Sequence, residues 1–255
     1  MKTSTPDKPK PPQPLQILLI GPPGGGKTSL ALQFPRLRIM DCDGNLDGPE
    51  RLVRSRFKKD LAYQYETIRT DDNGTPVEIH ECFDRLCDKI VEAGKSQDVG
   101  VVAVDGLTHV NEFLIRNVLK LQNKQKNPFE MEARDWIPFK SKAYQLLITK
   151  LQGTGKHTIC MCHEKIIVES DPQSMMKEKV LKYEPAFQGG ITDYFGGFFT
   201  DMWRVECRKA AAGQYKYFVV TKKTTLSDLK CSFPNIPDEV EITNGAENFI
   251  KMLNL

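Results

Sequence analysis

The sequence predicts an α/β fold: a mostly parallel sheet with helices on both faces, and antiparallel strands at one edge near the C-terminus. Three observations predict it. Residues 15–29, LQILLIGPPGGGKTS, pass from an apolar strand through a glycine turn into a helix. A second apolar run, Val101 to Val104, ends in Asp105. Around these, short apolar runs alternate with stretches of helical spacing, the order of a sheet wound on both sides.

The elements follow in chain order. Residues 1–14, MKTSTPDKPKPPQP, hold five prolines and three lysines. Such a segment cannot bury a core, so it is expected to be a flexible arm, either a plain tail or one that docks on a neighbouring subunit. Residues 15–255 are expected to form one domain. Leu15 to Ile20 is a buried strand, and Thr28 to Phe34 a short helix stopped by Pro35. Leu37 to Met40 is the next strand, ending in Asp41-Cys42-Asp43-Gly44. Pro49 to Lys59 reads as a helix with proline in its first turn, and Tyr63 to Arg69 as a strand closed by Asp71-Asp72-Asn73-Gly74. Ile79, Phe83, Leu86 and Ile90 place a helix over 79–93, and Val110 to Leu121 is helical. Trp136, Phe139, Ala143, Leu147 and Leu151 recur at steps of three and four, which predicts a helix over 133–152. Thr158 to Cys162 is a strand, whereas 164–190 shows no clear period and reads as a loop. Met202 to Cys207 and Tyr215 to Thr221 pair across Ala211-Ala212-Gly213, and Ala246 to Leu253 is a terminal helix.

The chemistry begins at Gly21-Pro22-Pro23-Gly24-Gly25-Gly26-Lys27-Thr28-Ser29, a complete phosphate-binding loop between strand and helix. Its glycines let successive backbone N–H groups face one concavity, which with the helix start behind it holds an anion. Lys27 can reach the β- and γ-phosphates of ATP, and the Thr28 hydroxyl can ligate Mg²⁺. Asp105 ends its strand on the edge where ligands bind in open α/β sheets, and so becomes the second Mg²⁺ group. Asp41 and Asp43 lie two apart on one side of a strand end. Asp43, nearer the open edge, is the candidate to orient the attacking water; the alternative is that both aspartates only form the turn into Gly44-Asn45. Lys27, Asp43 and Asp105 are thus the candidate catalytic residues. His163-Glu164, at another strand end, can sense the γ-phosphate and pass its state into residues 164–190.

Composition bounds the partners. Net charge is +3, so no global basic field points to nucleic acid, and any such site must be local. Seven cysteines without a Cys-x-x-Cys pair fit reduced thiols; Cys160-x-Cys162-His163 lacks a second ligand pair for zinc. No signal peptide and no apolar stretch near membrane-spanning length is present, so a soluble, cytoplasmic protein is expected. Two segments combine cations with rings as a single strand of DNA would need. The first, residues 122–135, holds Lys124, Lys126 and Arg134 with Phe129; the second, residues 164–190, holds Lys165, Lys177, Lys179 and Lys182 with Tyr183 and Phe187. The second also contains Glu164, Glu169, Asp171, Glu178 and Glu184, so a merely solvated loop is an equal alternative. Arg51, Arg54, Arg56, Lys58 and Lys59 form the densest basic cluster, read as a solvated helix face, with a DNA or subunit contact as the alternative.

Taken together these motifs resemble a RecA-like P-loop NTPase core from about Leu15 to Phe233. The run Ile39 to Pro49 is similar to the recombinase segment that carries the catalytic carboxylate, with Asp43 at that position where recombinases have Glu. Gln188-Gly189-Gly190-Ile191 resembles the step closing the second DNA loop. Lys222 and Lys223 fall where recombinases present lysines to the ATP of an adjacent subunit. The Asp-x-Asp-Gly turn, Trp136 and the Cys-His-Glu strand end look like bacteriophage nucleotide-binding proteins, a group that includes ATP-dependent single-strand annealing proteins. The resemblance implies a slow, DNA- or assembly-stimulated ATPase, ATP and Mg²⁺ as cofactors, and a homo-oligomeric ring or filament. It also implies single-stranded DNA as partner, with a single-strand-binding protein as a further one, and the host cytoplasm as location. The alternatives are an AAA+-like motor or helicase loader, for which 234–255 is short of a helical lid, and a nucleotide-dependent assembly protein without turnover.

Overall fold

The computed structural model describes residues 13–57, 61–121, 131–170, 178–188, 190–210 and 213–254. The expected arm up to residue 12 lies outside them, as do Lys58, Lys59, Lys124, Lys126, Phe129, Lys177 and Gly189.

The core strands are β1 (Gln16–Gly21), β2 (Leu37–Asp41), β3 (Tyr63–Thr67), β4 (Val101–Asp105), β5 (His157–Ser170) and β7 (Asp201–Lys209). Among the described residues they form one sheet in the order β3-β2-β4-β5-β1-β7, with every neighbouring pair parallel. Two antiparallel strands, β8 (Tyr215–Val220) and β9 (Glu239–Glu241), extend the β7 edge. The fold class is therefore the one the sequence predicts. β1, β2 and β4 are buried along their whole length, and their residues are mainly apolar because a parallel strand is covered on both faces.

Alternate residues of β1 feed two separate cores. Ile17 and Leu19 pack with α1 (Lys27–Ala31) and α7 (Glu247–Met252). Leu18 and Ile20 pack with α3 (Ile79–Lys95), α4 (Leu107–Leu121) and α5 (Trp136–Tyr144). α2 (Asp47–Phe57) lies beside α1. Register then brings the site together: Gly21 sits opposite His163, Asp41 opposite Asp105, and Asp105 opposite Met161. The polar strand ends meet on one edge because the apolar lengths before them are matched.

Two expectations about elements are corrected. Within 164–190 the described residues up to Pro185 are strand and not loop: β5 continues to Ser170 and pairs antiparallel with β6 (Glu178–Pro185). Lysines and glutamates between Ile166, Ile167, Val168 and Val180 masked the strand propensity of those β-branched residues. A cross-strand Lys165–Glu184 pair at 3.1 Å now joins them. The helix expected over 133–152 is a 3₁₀ turn (Ala133–Asp135), then α5, then a π-helix (Gln145–Leu151), then a second 3₁₀ turn. Spacing of three and four marks the buried face but does not distinguish these windings. A short helix α6 (Phe195–Phe198) and β9 were not foreseen, since neither is long enough to show a period.

Candidate nucleotide site

The phosphate loop is held by its glycines' lack of side chains. A Cβ on Gly21 would strike the carbonyl oxygen of Val205 on β7, and one on Gly25 would lie 2.7 Å from that same oxygen. Gly24 and Gly26 have φ of +71° and +97°, where L-residues are strained. A Cβ on Gly26 would also stand 2.9 Å from the Tyr217 ring. The loop is thus pressed against β7 and β8 and closed by a Gly25 N–H bond to the Pro22 carbonyl at 3.1 Å.

Lys27 is buried, and its ammonium donates to the carbonyls of Gly21 and Pro22, both at 2.9 Å. Burial lowers its pKa, opposed chiefly by the charge of Asp105. The Thr28 hydroxyl donates to Asp105 Oδ2 at 2.8 Å. Asp105 is only 5% exposed, and burial, then the neighbouring Asp43 charge, push its carboxyl up to about 7. One hydroxyl and one carboxylate in contact beside a phosphate loop suit Mg²⁺, a hard cation that takes few protein oxygens and completes its shell with water and phosphate.

The two turn aspartates take different parts. Asp41 is buried and accepts N–H bonds from Asp43 (3.2 Å) and Gly44 (2.7 Å). Burial raises its carboxyl to about 6. Asp43 accepts the Asn45 N–H at 3.0 Å and lines a cavity of about 440 Å³. That cavity also receives Lys27, Thr28, Asp105 and His163, with Pro49 and Leu52 of α2 and the Tyr217 ring of β8. The Arg56 guanidinium lies over that ring, 5.4 Å from its centre. Sequence reasoning passed over Pro49, Leu52 and Tyr217, because nothing in their spacing relates them to residue 27.

His163 links the cavity to the hairpin. Its Nδ1 is 3.4 Å from the Lys27 ammonium; burial, then that cation, lower its pKa, so the ring is neutral at pH 7. Its N–H donates to the Thr108 hydroxyl and its carbonyl accepts from Ala186, just past β6. Next to it Glu164 is buried and takes two bonds from Arg204 of β7, at 2.7 and 2.9 Å. Arg204 also pairs with Glu206 and lies 4.2 Å over the Tyr183 ring.

Other predicted residues are dispersed. Lys222 and Lys223 follow β8 outside the cavity, paired with Asp238 (2.5 Å) and Asp228 (3.0 Å). Lys179 is exposed, but Lys182 is engaged by Asp228 (2.8 Å) and Glu184 (3.2 Å). Phe187 corrects an expectation: it is buried against Phe139 and Phe195 in the core, and so is not presented to a DNA base. Cys160 and Cys162 also point into that core. Among the described residues no helix is long and apolar enough to cross a membrane.

No curated protein matches the chain. A family model described as an AAA domain matches residues 13–231, a span that includes the phosphate loop, Asp43, Asp105, His163 and the lysine pair after β8. The chain therefore belongs to the AAA domain family, with a P-loop ATPase-like domain.

Proposed function

We propose that the protein binds ATP with Mg²⁺ in this cavity, hydrolyses it slowly, and uses the nucleotide state to control single-stranded DNA binding in strand annealing. The observation that carries the reading is the convergence of Lys27, the Thr28–Asp105 pair, Asp43 and His163 on one cavity at the phosphate loop. Lys27 and the loop N–H groups hold the phosphates, while Thr28 and Asp105 hold Mg²⁺, which supplies charge neutralisation to the transferring phosphoryl group. Asp43 orients a water toward the γ-phosphorus. The water oxygen bonds to phosphorus as the bond to the bridging oxygen breaks, ADP leaves with that electron pair, and the water's proton passes to Asp43. Lys222 and Lys223, outside their own cavity, are placed by the reading against the ATP of a docked neighbour in a ring or filament.

DNA enters through the β5–β6 hairpin, tied to the cavity by His163 and carrying the exposed Lys179. A second reading has a specific observation in its favour. Lys165 and Lys182 are paired with Glu184 and Asp228, while Ile166, Val168 and Leu181 are about half exposed. Such a surface suits a protein partner in nucleotide-dependent assembly. The deciding experiment measures ATP turnover and the shift of labelled single strands, each with and without the other ligand. ATP-dependent DNA binding that weakens as salt rises supports annealing. Turnover or assembly without any DNA shift at low salt supports the second reading. Lys27→Ala is expected to abolish tight ATP binding, and unchanged affinity in the folded variant removes both.

A further inference from the structure

Among the polar side chains near the cavity, His109 has no part in the reading above. It lies in the first turn of α4, three residues beyond Gly106, whose carbonyl accepts its backbone N–H at 2.8 Å. Its Nδ1 is buried and makes no hydrogen bond among the described residues. A Cβ added to Gly106 would lie 3.1 Å from that Nδ1 and 3.4 Å from the Asp43 Cβ, so both groups flank one point. Gly106 lines the cavity with φ +87°.

A buried ring nitrogen without a partner costs free energy. It is retained where a state of the molecule supplies the partner. Asp43 borders the same point as that nitrogen, and it sits on a turn at the cavity wall. We propose that His109 is a positioning residue that acts through Asp43: Nδ1–H donates to the carboxylate when Asp43 faces the γ-phosphate, fixing the rotamer that orients water. The inference rests on the reading of Asp43 as the water-orienting group.

The experiment compares His109→Ala, His109→Asn and His109→Gln in the full chain, alone and with Asp43→Asn. Steady-state ATP turnover and binding of a fluorescent ATP analogue are measured, with thermal melting as the folding control. The Asn amide reaches the position of Nδ1; the Gln amide reaches that of Nε2. His109→Ala is expected to lower kcat about tenfold or more, since misplacement of a reacting group by an ångström is that costly. Analogue affinity should stay within about twofold. His109→Asn should restore most of kcat and His109→Gln should not. In the Asp43→Asn background His109→Ala should have no further effect, because coupled residues are not additive. Unchanged kcat in a folded His109→Ala overturns the inference, as do equal losses in the Asn and Gln variants or an additive double variant. If Asp43→Asn alone keeps full turnover, or the wild type has none, the underlying reading falls and this inference with it. Loss in Asp43→Asn with none in His109→Ala removes the inference alone.

Discussion

Asp105 has a pH signature that belongs to the single residue. Its carboxyl is raised from 3.8 to about 7, chiefly by burial. The folded state therefore holds the proton more tightly than the unfolded chain between those values. The stability this contributes is complete below about pH 4 and is lost as pH rises through about 7. Without nucleotide, Asp105→Asn is expected to melt higher than the wild type above pH 7, by on the order of a few kcal/mol, with the gap closing toward pH 4. Melting curves of both proteins from pH 4 to 8 test it; a gap independent of pH would deny the shift. The raised carboxyl is also the cost of a site made to receive a cation. Gly21 gives a second residue-level expectation. Any side chain there meets the Val205 carbonyl, so Gly21→Ala should destabilise the fold by about 1–3 kcal/mol, as overpacking does, and distort the loop. Denaturant unfolding together with ATP-analogue affinity reads both effects.

At the scale of elements, the hairpin is anchored by the Glu164–Arg204 pair. The Glu164 side chain is 4% exposed and that of Arg204 14%. Removing one partner leaves the other charge buried, at a cost of about 3–5 kcal/mol. Arg204→Met is therefore expected to raise amide exchange along Glu164–Val168 and Val180–Glu184, while strands β2 and β4 keep their protection. Replacing both partners, Arg204→Met with Glu164→Leu, should recover much of it, because the stranded charge is gone. Exchange rising equally across the sheet would mean that the pair supports the whole fold and not the hairpin. β7 contributes to both sides of this junction: Val205 presses its carbonyl on the phosphate loop, and Arg204 grips the hairpin. The two neighbouring residues give the hairpin and the loop a shared support.

For the whole molecule, a ligand that binds only the folded state adds stability by mass action, about 2.7 kcal/mol at a hundredfold excess over Kd. ATP with Mg²⁺ should raise the melting temperature by several degrees, and Lys27→Ala should lose that rise. Sedimentation with ATP tests assembly at the same scale. A species that grows with ATP and fails to grow when Lys222 and Lys223 are both replaced supports a subunit boundary at the nucleotide. A monomer with full turnover at every concentration refutes it.

By itself the sequence determined the parallel sheet and its ligand edge. Ile17 to Ile20 and Val101 to Val104 are buried at every position, and only a strand covered on both faces permits such a run. Gly24 and Gly26 marked a backbone that L-residues resist, which local geometry alone requires. The hairpin was not legible, because in a projecting two-stranded ribbon neither face needs to be apolar and the period is lost among charges. Nor was the burial of Phe187, an aromatic enclosed by Phe139 of α5, far back in the chain, and by Phe195 of α6. Tyr217 and His109 reached the site only through strand pairing and the turn at Gly106. Tertiary structure decided these, since contact between side chains of different elements leaves no spacing to read, and Tyr217 lies nearly two hundred residues from the loop it meets.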